Sequence, residues 1–220
     1  MVNKTSYLVA GIVSLVIFIL GFLLGFTILD MQLEDLRMEM DKNELELRNI
    51  QLELLFLDML GNETFCPYLK ERINHIDRKT WELGNKLVNP EGLNEKYFDI
   101  IKRRYSISLI EDWLFSKELS ERCETERINV LYFFELDSDT CQAQGYVLDY
   151  MVEKDEEDAL HIFAIDRNLD EPIIQLMVQN YNITKAPTIV VNGEKHEGLK
   201  NNEELTSIFC DVNDQLTFCQ

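Results

Sequence analysis

The chain has 220 residues, and 40 acidic residues against 21 basic ones give it a formal net charge of −19 at pH 7. This charge argues against nucleic acid as a partner, because binding to phosphate requires a basic surface. The hydrophobic fraction of 46% excludes a wholly disordered chain. The three histidines do not stand at metal-ligand spacing. We therefore predict neither a metal site nor a cofactor.

The first thirty residues predict a membrane anchor. Residues 7–29 are apolar and carry no charge, and about 20 such residues in a helix are enough to cross a bilayer. A cleaved signal peptide would have a shorter apolar run followed by a cleavage site of small residues, which is missing before Asp30. We expect an uncleaved signal-anchor and a single-pass transmembrane helix over 7–29, after an N-terminal segment of residues 1–6.

The charges on either side of the predicted span set its orientation. Lys4 and the α-amino group precede it, whereas residues 30–60 contain nine acidic and three basic residues. The positive-inside rule therefore places the N-terminus in the cytoplasm and residues 30–220 outside the cell membrane. Asn62-Glu-Thr64 and Asn182-Ile-Thr184 are then candidate glycosylation acceptors, although such triplets often arise by chance.

Residues 30–60 predict a coiled-coil stalk. They contain no Pro or Gly, and a 3-4 spacing runs through Leu33, Leu36, Met40, Asn43, Leu47, Ile50, Leu54 and Leu57. A lone Asn in such a seam fixes its register. A second apolar line (Met38, Leu45, Leu52, Met59) would have no role on an exposed face. A homodimeric stalk and packing against later helices of the same chain therefore both remain open.

Residues 61–126 predict an α-helical hairpin. Gly61 interrupts the heptad pattern, and Cys66-Pro67 indicates the start of the next helix. The turn residues 89–92 (Asn-Pro-Glu-Gly) separate this helix from another over about 93–121. We find no residues in this hairpin that point to chemistry.

The sequence pattern changes after Arg127 and predicts an α/β domain over residues 127–220. Apolar runs at 128–135, 159–165 and 188–191 indicate three strands. The hairpin turn Asn192-Gly193 then predicts a fourth strand at Lys195–Glu197. Helices are predicted after Asp139, Pro172 and Asn202. The predicted order is βαβαββα.

This order, together with two stretches of sequence, resembles the thioredoxin superfamily. The first stretch, from Phe133 through Ser138 and Cys141 to Asp149, is similar to the family's strand, active loop and helix. The second, Ile183-Thr-Lys-Ala-Pro187-Thr-Ile-Val-Val-Asn-Gly193, is similar to its cis-proline loop, third strand and hairpin. The resemblance implies a thioredoxin-like fold for roughly residues 127–212.

The resemblance also implies a site that departs from the family's C-x-x-C motif. The family's first thiol attacks a substrate disulfide, and the second resolves the mixed disulfide. Here one alignment puts Ser138 at the nucleophile position and Cys141 at the resolving position, giving S-x-x-C. A second alignment makes Cys141 the nucleophile and Gln144 the replaced resolver. In both, the active dithiol is missing, and a hydroxyl cannot replace a thiolate in disulfide exchange.

The resemblance predicts a cis peptide bond between Ala186 and Pro187. In the family this loop faces the active thiols and its backbone pairs with bound peptide. Ala186, Pro187 and Thr188 are therefore predicted to border a peptide-binding groove beside Ser138 and Cys141. The alternative is that Pro187 simply starts a strand.

The five cysteines allow several pairings outside the cell, where thiols tend to form disulfides. Cys210 and Cys219 are close in sequence and make a local bridge plausible, while Cys66 and Cys123 flank the predicted hairpin. This scheme leaves Cys141 as the odd thiol. A Cys123–Cys141 bridge is a competing scheme that would make the site structural.

These features predict a membrane-anchored, extracytoplasmic, thioredoxin-like protein. Its expected role is thiol-dependent or peptide-binding action on envelope or secreted proteins, with Cys141 as the reactive thiol. The alternative is a non-catalytic scaffold that interacts through its coiled coil. An ordinary dithiol enzyme would need another cysteine of the chain to approach Cys141.

Overall fold

The computed structural model describes residues 13–23, isolated positions between 45 and 59, and residues 61–219 except 91, 93, 124 and 157. Residues 13–23 are helical. The rest of the predicted span and most of the predicted stalk lie outside the described residues. Within the described part, no helix combines the length and apolar character needed to cross a membrane.

Two long helices precede the sheet. Helix α1 is Asn62–Val88 and helix α2 is Glu95–Arg122. Helix α1 begins four residues before the predicted start at Cys66, because the burial of Phe65, which is 1% exposed, holds its first turn against the rest of the chain. Pro67 is tolerated there because it forgoes only one helical hydrogen bond near the N-terminus. The two helices pack through the apolar side chains of α1 at the predicted 3-4 spacing: Leu69, Ile73, Ile76 and Leu83.

The α/β part follows the predicted order. The strands are β1 (Ile128–Phe134), β2 (Leu160–Asp166), β3 (Thr188–Val191) and β4 (Glu194–Glu197). The helices are α3 (Asp139–Lys154), α4 (Pro172–Asn180) and α5 (Asn202–Val212), followed by a 3₁₀ turn at Thr217–Cys219. The sheet order is β2-β1-β3-β4, with β1 parallel to β2 and antiparallel to β3. This is a thioredoxin-like topology, as predicted.

Alternation along β1 produces two cores, one on each face of the sheet, because successive side chains of a strand point to opposite sides. One face carries Ile128, Val130 and Tyr132 and packs against α3 and α5. The other face carries Leu131 and Phe133 and packs against α4 and α2, including Leu109, Ile110 and Trp113 of α2.

Helix α2 therefore belongs to the core of the α/β domain. Residues 61–220 form one compact unit, and residues 1–60 form another. The predicted boundary at residue 127 falls inside the first of these units, because Trp113, 9% exposed, is buried against the sheet together with its neighbours Leu109 and Ile110. Helix α2 supplies part of one helical layer of the α/β sandwich.

Candidate functional site

The loop between β1 and α3 places Ser138 at the start of a helix. Ser138 is the N-cap of α3, and its hydroxyl oxygen accepts a hydrogen bond from the Cys141 N–H at 3.3 Å. A Ser at this position satisfies one of the free N–H groups of the first turn. The Ser138 hydroxyl also lies 3.0 Å from the Thr140 hydroxyl. The nucleophile position of the S-x-x-C alignment is thus occupied by a capping hydroxyl.

Cys141 lies in the first turn of α3 with its side chain turned inward. The residue is 3% exposed and is a free thiol. Its Sγ accepts a hydrogen bond from the Glu135 backbone N–H at 3.4 Å. Burial shields this sulfur from bulk solvent, so a disulfide in a partner protein can reach it only through the adjoining cleft.

Tyr132 fixes the first turn of α3 to β1. Its hydroxyl donates a hydrogen bond of 2.6 Å to the carbonyl oxygen of Cys141. Burial raises the pKa of Tyr132 above its usual range, and the neighbouring Cys141 acts in the same direction. The phenol therefore stays protonated and acts as a donor at neutral pH.

A cleft of about 640 Å³ adjoins the Ser138 loop. Its apolar walls come from Tyr132, Phe134, Leu136 and Ala164, and Cys141 is among the residues that line it. Acidic side chains at 135, 137 and 139 stand around it. A negatively charged rim favours a cationic ligand.

The proline loop lies at the same end of the sheet. The peptide bond between Ala186 and Pro187 is cis, and the Pro187 carbonyl accepts a hydrogen bond of 2.9 Å from the Gly198 N–H. Thr188 is fully buried and donates its hydroxyl to the Lys185 carbonyl at 2.8 Å. Ala186 is half-buried, so its surface is partly open to a ligand.

The sheet register brings the two predicted stretches to the same end of the sheet, where β1 finishes and β3 begins. Thr188 is paired with Phe133, the residue before the last of β1, and β1 leads directly into the Ser138 loop. The cleft beside Cys141 is lined by residues of β1, β2 and the Ser138 loop, and its lining does not include 186, 187 or 188. The cleft beside Cys141 and the proline loop are therefore two adjacent surfaces at this end of the sheet.

Gln144, which stands at the resolving position of the second alignment, makes hydrogen bonds within the chain. It is fully buried, and its side-chain oxygen accepts the Lys200 N–H at 2.7 Å while its amide donates to the Lys200 carbonyl at 3.4 Å. These bonds fix the loop after β4 to helix α3. The position of Ser138 at the N-cap, with Cys141 three residues later, matches the S-x-x-C alignment.

The other four cysteines form two disulfides. Cys66 is bonded to Cys123, which joins the start of α1 to the end of α2, and Cys210 is bonded to Cys219. Cys141 is consequently left without a cysteine partner. In this arrangement Cys123 is unavailable to bridge Cys141, so the competing scheme does not occur.

The side chains of the site that could bind a metal or react are one thiol, hydroxyls and carboxylates. Among the residues that the structure describes, no three His, Cys, Asp or Glu side chains are grouped to hold a metal ion. A single buried thiol next to a capping serine can form a mixed disulfide, but the second thiol needed to release it is missing.

Sequence reasoning missed three contributors to this site: the Tyr132 phenol, the Glu135 amide and the β2 residue Ala164. Tyr132 stands within an apolar strand, where an aromatic residue is expected for packing alone. The Glu135 contribution comes from its backbone, which leaves no mark in the sequence. Ala164 reaches the cleft only because β2 lies beside β1.

No family model and no curated protein matches this chain. Solved structures of thioredoxins do match, and three of them show the sequence identity, coverage and TM-score of these matches. Thioredoxin-2 of the malaria parasite is 16% identical, with 39% of this chain and 82% of that chain covered and a TM-score of 0.34. The germline-specific thioredoxin Deadhead of Drosophila melanogaster is 15% identical, with coverage of 46% and 92% and a TM-score of 0.35. Thioredoxin O2 of Arabidopsis thaliana is 19% identical, with coverage of 44% and 85% and a TM-score of 0.33.

Proposed function

We propose that this protein is a membrane-anchored, extracytoplasmic thioredoxin-like protein that holds peptide segments of envelope or secreted proteins without exchanging their disulfides. The observation that carries the proposal is the pairing of Ser138 with Cys141. The serine caps the helix, and the thiol is 3% exposed. In this proposal the peptide backbone binds at the partly open Ala186, in the groove that the sequence predicts beside Pro187 and Thr188.

The proposed location is supported by sequence and by cysteine usage. The apolar run over 7–29 has the length of a membrane span, and the acidic segment after it favours an exit from the cytoplasm. Four of the five cysteines are in disulfides, which persist in oxidising compartments. Protease digestion of intact cells should remove residues 61–220 if they lie outside, and should spare them if they lie inside.

The proposed stalk connects the anchor to the α/β domain. Its heptads at 30–60 support a parallel homodimer in the membrane, with Asn43 fixing the register. A single cysteine introduced at Leu47 of the full chain should then form an intermolecular disulfide, whereas one at the non-seam position Arg48 should not. Equal cross-linking at both positions would count against a specific dimer.

Peptide holding is tested with the full chain in detergent and a fluorescent, reduced and carboxymethylated lactalbumin, which stays unfolded and has no disulfides. Binding should be saturable. Ala186→Asp places a charge in the groove and should weaken binding at least about tenfold. Leu176→Asp makes the same change on the exposed face of α4, where Leu176 is 59% exposed, and should have no effect.

A separate measurement addresses the thiol-dependent form of the function, which is favoured by the position of Cys141 in the lining of the cleft. Cys141→Ser should leave lactalbumin binding unchanged if the protein only holds peptides. Capture through a mixed disulfide needs a second probe, native lactalbumin with its disulfides intact, because the Cys141 thiolate must attack a disulfide and release one of its sulfurs as a thiol. A covalent adduct that forms with the wild type, is absent in Cys141→Ser and is released by dithiothreitol would favour such capture. Failure of the wild-type protein to bind lactalbumin would leave the scaffold function as the better explanation.

A further inference from the structure

Within the part of the chain that the structure describes, strand β2 is an edge of the sheet, with β1 on one side only. The Ile128 N–H bonds to the Ala159 carbonyl, and the Arg167 N–H bonds to the Phe134 carbonyl. In a parallel ladder, alternate residues of a strand turn both backbone groups to the same side. The odd-numbered residues of β2 therefore face β1, and the even-numbered ones, including Ile162 and Ala164, face outward.

Both ends of the outward edge are closed by bonds within the chain. The Leu160 N–H donates to an Asp155 carboxylate oxygen at 2.6 Å, and the Asp166 carbonyl accepts the Leu169 N–H at 3.1 Å. Between these two bonds, the N–H and C=O groups of Ile162 and Ala164 have no partner in the part of the chain that the structure describes. Such a row of free groups is a template for another strand.

The edge lacks two of the features that usually protect an edge strand. Its sequence, Leu160-His-Ile-Phe-Ala-Ile-Asp166, contains no Lys and no Pro, both of which discourage pairing with another chain. Ile162 and Ala164 are only half-buried. The edge is therefore both accessible and apolar.

The cleft described above opens beside this edge, because Ala164 forms part of its wall. A volume of about 640 Å³ is enough for a large apolar side chain between Phe134 and Leu136. Asp137 and Asp139 on the rim are exposed and make no ion pair with a described residue. Backbone groups, an apolar pocket and an acidic rim thus occur side by side.

We propose that β2 binds an extended peptide segment of a partner protein as an additional strand. The peptide's backbone pairs with Ile162 and Ala164, one apolar side chain enters the cleft, and a Lys or Arg next to it meets Asp137 and Asp139. Main-chain bonds supply affinity and the cleft supplies selectivity, as in other cases of strand addition. A second copy of the chain fits less well, because it would bring its own acidic rim to the contact.

This surface is separate from the groove beside Ala186, so the two proposals fail independently. The Ala186→Asp variant, which tests the groove, should bind a β2 ligand as well as the wild type does.

The probe is a blocked synthetic octapeptide in which Val and Thr alternate around one central Leu, with a Lys at each end. Its binding to the full chain in detergent is followed by hydrogen–deuterium exchange at single-residue resolution. In the free protein, the amides of Ile162 and Ala164 should exchange fast, while those of Ile165 and Phe163 should be protected by β1. Saturating peptide should slow exchange at Ile162 and Ala164 at least about tenfold.

Two substitutions at one position isolate the backbone contribution. Ala164→Pro removes the outward N–H and leaves the bonds to β1 in place, which an edge strand tolerates. It should weaken peptide binding at least about tenfold, whereas Ala164→Gly, which keeps the N–H, should change it less than about threefold. Replacing both peptide Lys residues by Glu should also weaken binding about tenfold or more, because of the acidic rim.

Other outcomes overturn the proposal. Absence of binding at millimolar peptide would do so, as would protection that falls on β4 (Glu194–Glu197) in place of β2. Protection of Ile162 and Ala164 that grows with protein concentration in the absence of peptide would assign the edge to a second copy of the chain. Since the exchange measurement uses the wild-type protein, it decides the question even if Ala164→Pro does not fold.

Discussion

The Tyr132 hydroxyl donates a hydrogen bond of 2.6 Å to the carbonyl oxygen of Cys141. This bond ties the central strand of the sheet to the first turn of helix α3, where the candidate site begins. It also explains why Cys141 is held inward, with its sulfur against the Glu135 N–H. The geometry of the site therefore depends on a residue outside the loop that carries it.

Removal of this bond should cost stability. Tyr132→Phe deletes only the hydroxyl of a side chain that is 5% exposed, so packing is retained. We expect the free energy of unfolding to fall by about 1 kcal/mol, the usual net value of a buried hydrogen bond. Urea denaturation measures it. Tyr146→Phe, at a tyrosine that is 66% exposed, should change stability by less than about 0.5 kcal/mol.

Restoration of the missing thiol should create activity. Ser138→Cys generates C-x-x-C at the N-terminus of α3, where the helix dipole and free amides favour a thiolate. We expect dithiothreitol-dependent reduction of insulin to rise at least about tenfold over the wild type, with Asp137 and Asp139 keeping it below that of a good thiol reductant. The variant Ser138→Cys/Cys141→Ser should stay at background.

Lack of any gain in the Ser138→Cys variant, in a protein that is folded by circular dichroism, would contradict the S-x-x-C alignment. The alternative alignment makes a different prediction: Gln144→Cys would then be the variant that gains activity. Assay of both variants side by side therefore distinguishes the two alignments directly.

The two disulfides should differ in their contribution to stability. Cys66–Cys123 closes a loop with a sequence separation of 57, and Cys210–Cys219 one of 9. By loop-closure entropy, replacement of the first pair by Ser should cost about 4 kcal/mol and that of the second about 3 kcal/mol. Thermal unfolding of the two double variants measures the difference. If the two double variants lose equal stability, or the second loses more, then strain or residual structure outweighs chain entropy.

Stability should also depend on Asp112. Burial, and after it the neighbouring carboxyl of Asp77, raise the pKa of Asp112 to about 8. The folded state then keeps a proton that the unfolded chain, with a pKa of about 3.9, releases. The contribution of Asp112 to the free energy of unfolding should thus be highest below about pH 4 and fall as the pH rises to about 8, by at most about 1.4 kcal/mol per pH unit.

The neutral variant Asp112→Asn should remove this slope and be more stable than the wild type above pH 8. It keeps an oxygen that can accept the Ser116 hydroxyl, which lies 3.3 Å from the Asp112 carboxylate. Asp149→Asn, at an exposed position on α3, is the control and should leave the slope intact. Denaturant titrations from pH 4 to 9 give the free energy of unfolding of each protein as a function of pH. The curve of Asp112→Asn should diverge from that of the wild type, and the curve of Asp149→Asn should run parallel to it.

Local sequence features predicted most of the α/β domain. The apolar run before Glu135 predicted β1, the Asn192-Gly193 turn predicted the β3–β4 hairpin, and Pro172 marked the first turn of α4. These signals are local, because strand alternation, turn chemistry and helix starts are set by neighbouring residues. The thioredoxin-like fold follows from their order.

Contacts between segments that are distant in the chain could not be predicted from the sequence. The placement of α2 in the sheet core depends on Trp113 meeting side chains of β1, β2 and α4. The inward position of Cys141 depends on Tyr132 and on the Glu135 backbone. An amphipathic helix or a lone thiol in a sequence does not specify which of several surfaces it will meet.

The sequence by itself determined that no second thiol accompanies Cys141 in its motif, because residue identity alone settles which redox groups exist. Only the tertiary structure decided that this sulfur is buried beside an acidic cleft, and that no strand of the described residues pairs with the neighbouring edge of β2. Burial and strand pairing depend on which segments meet in space, and that is set by the packing of the whole domain.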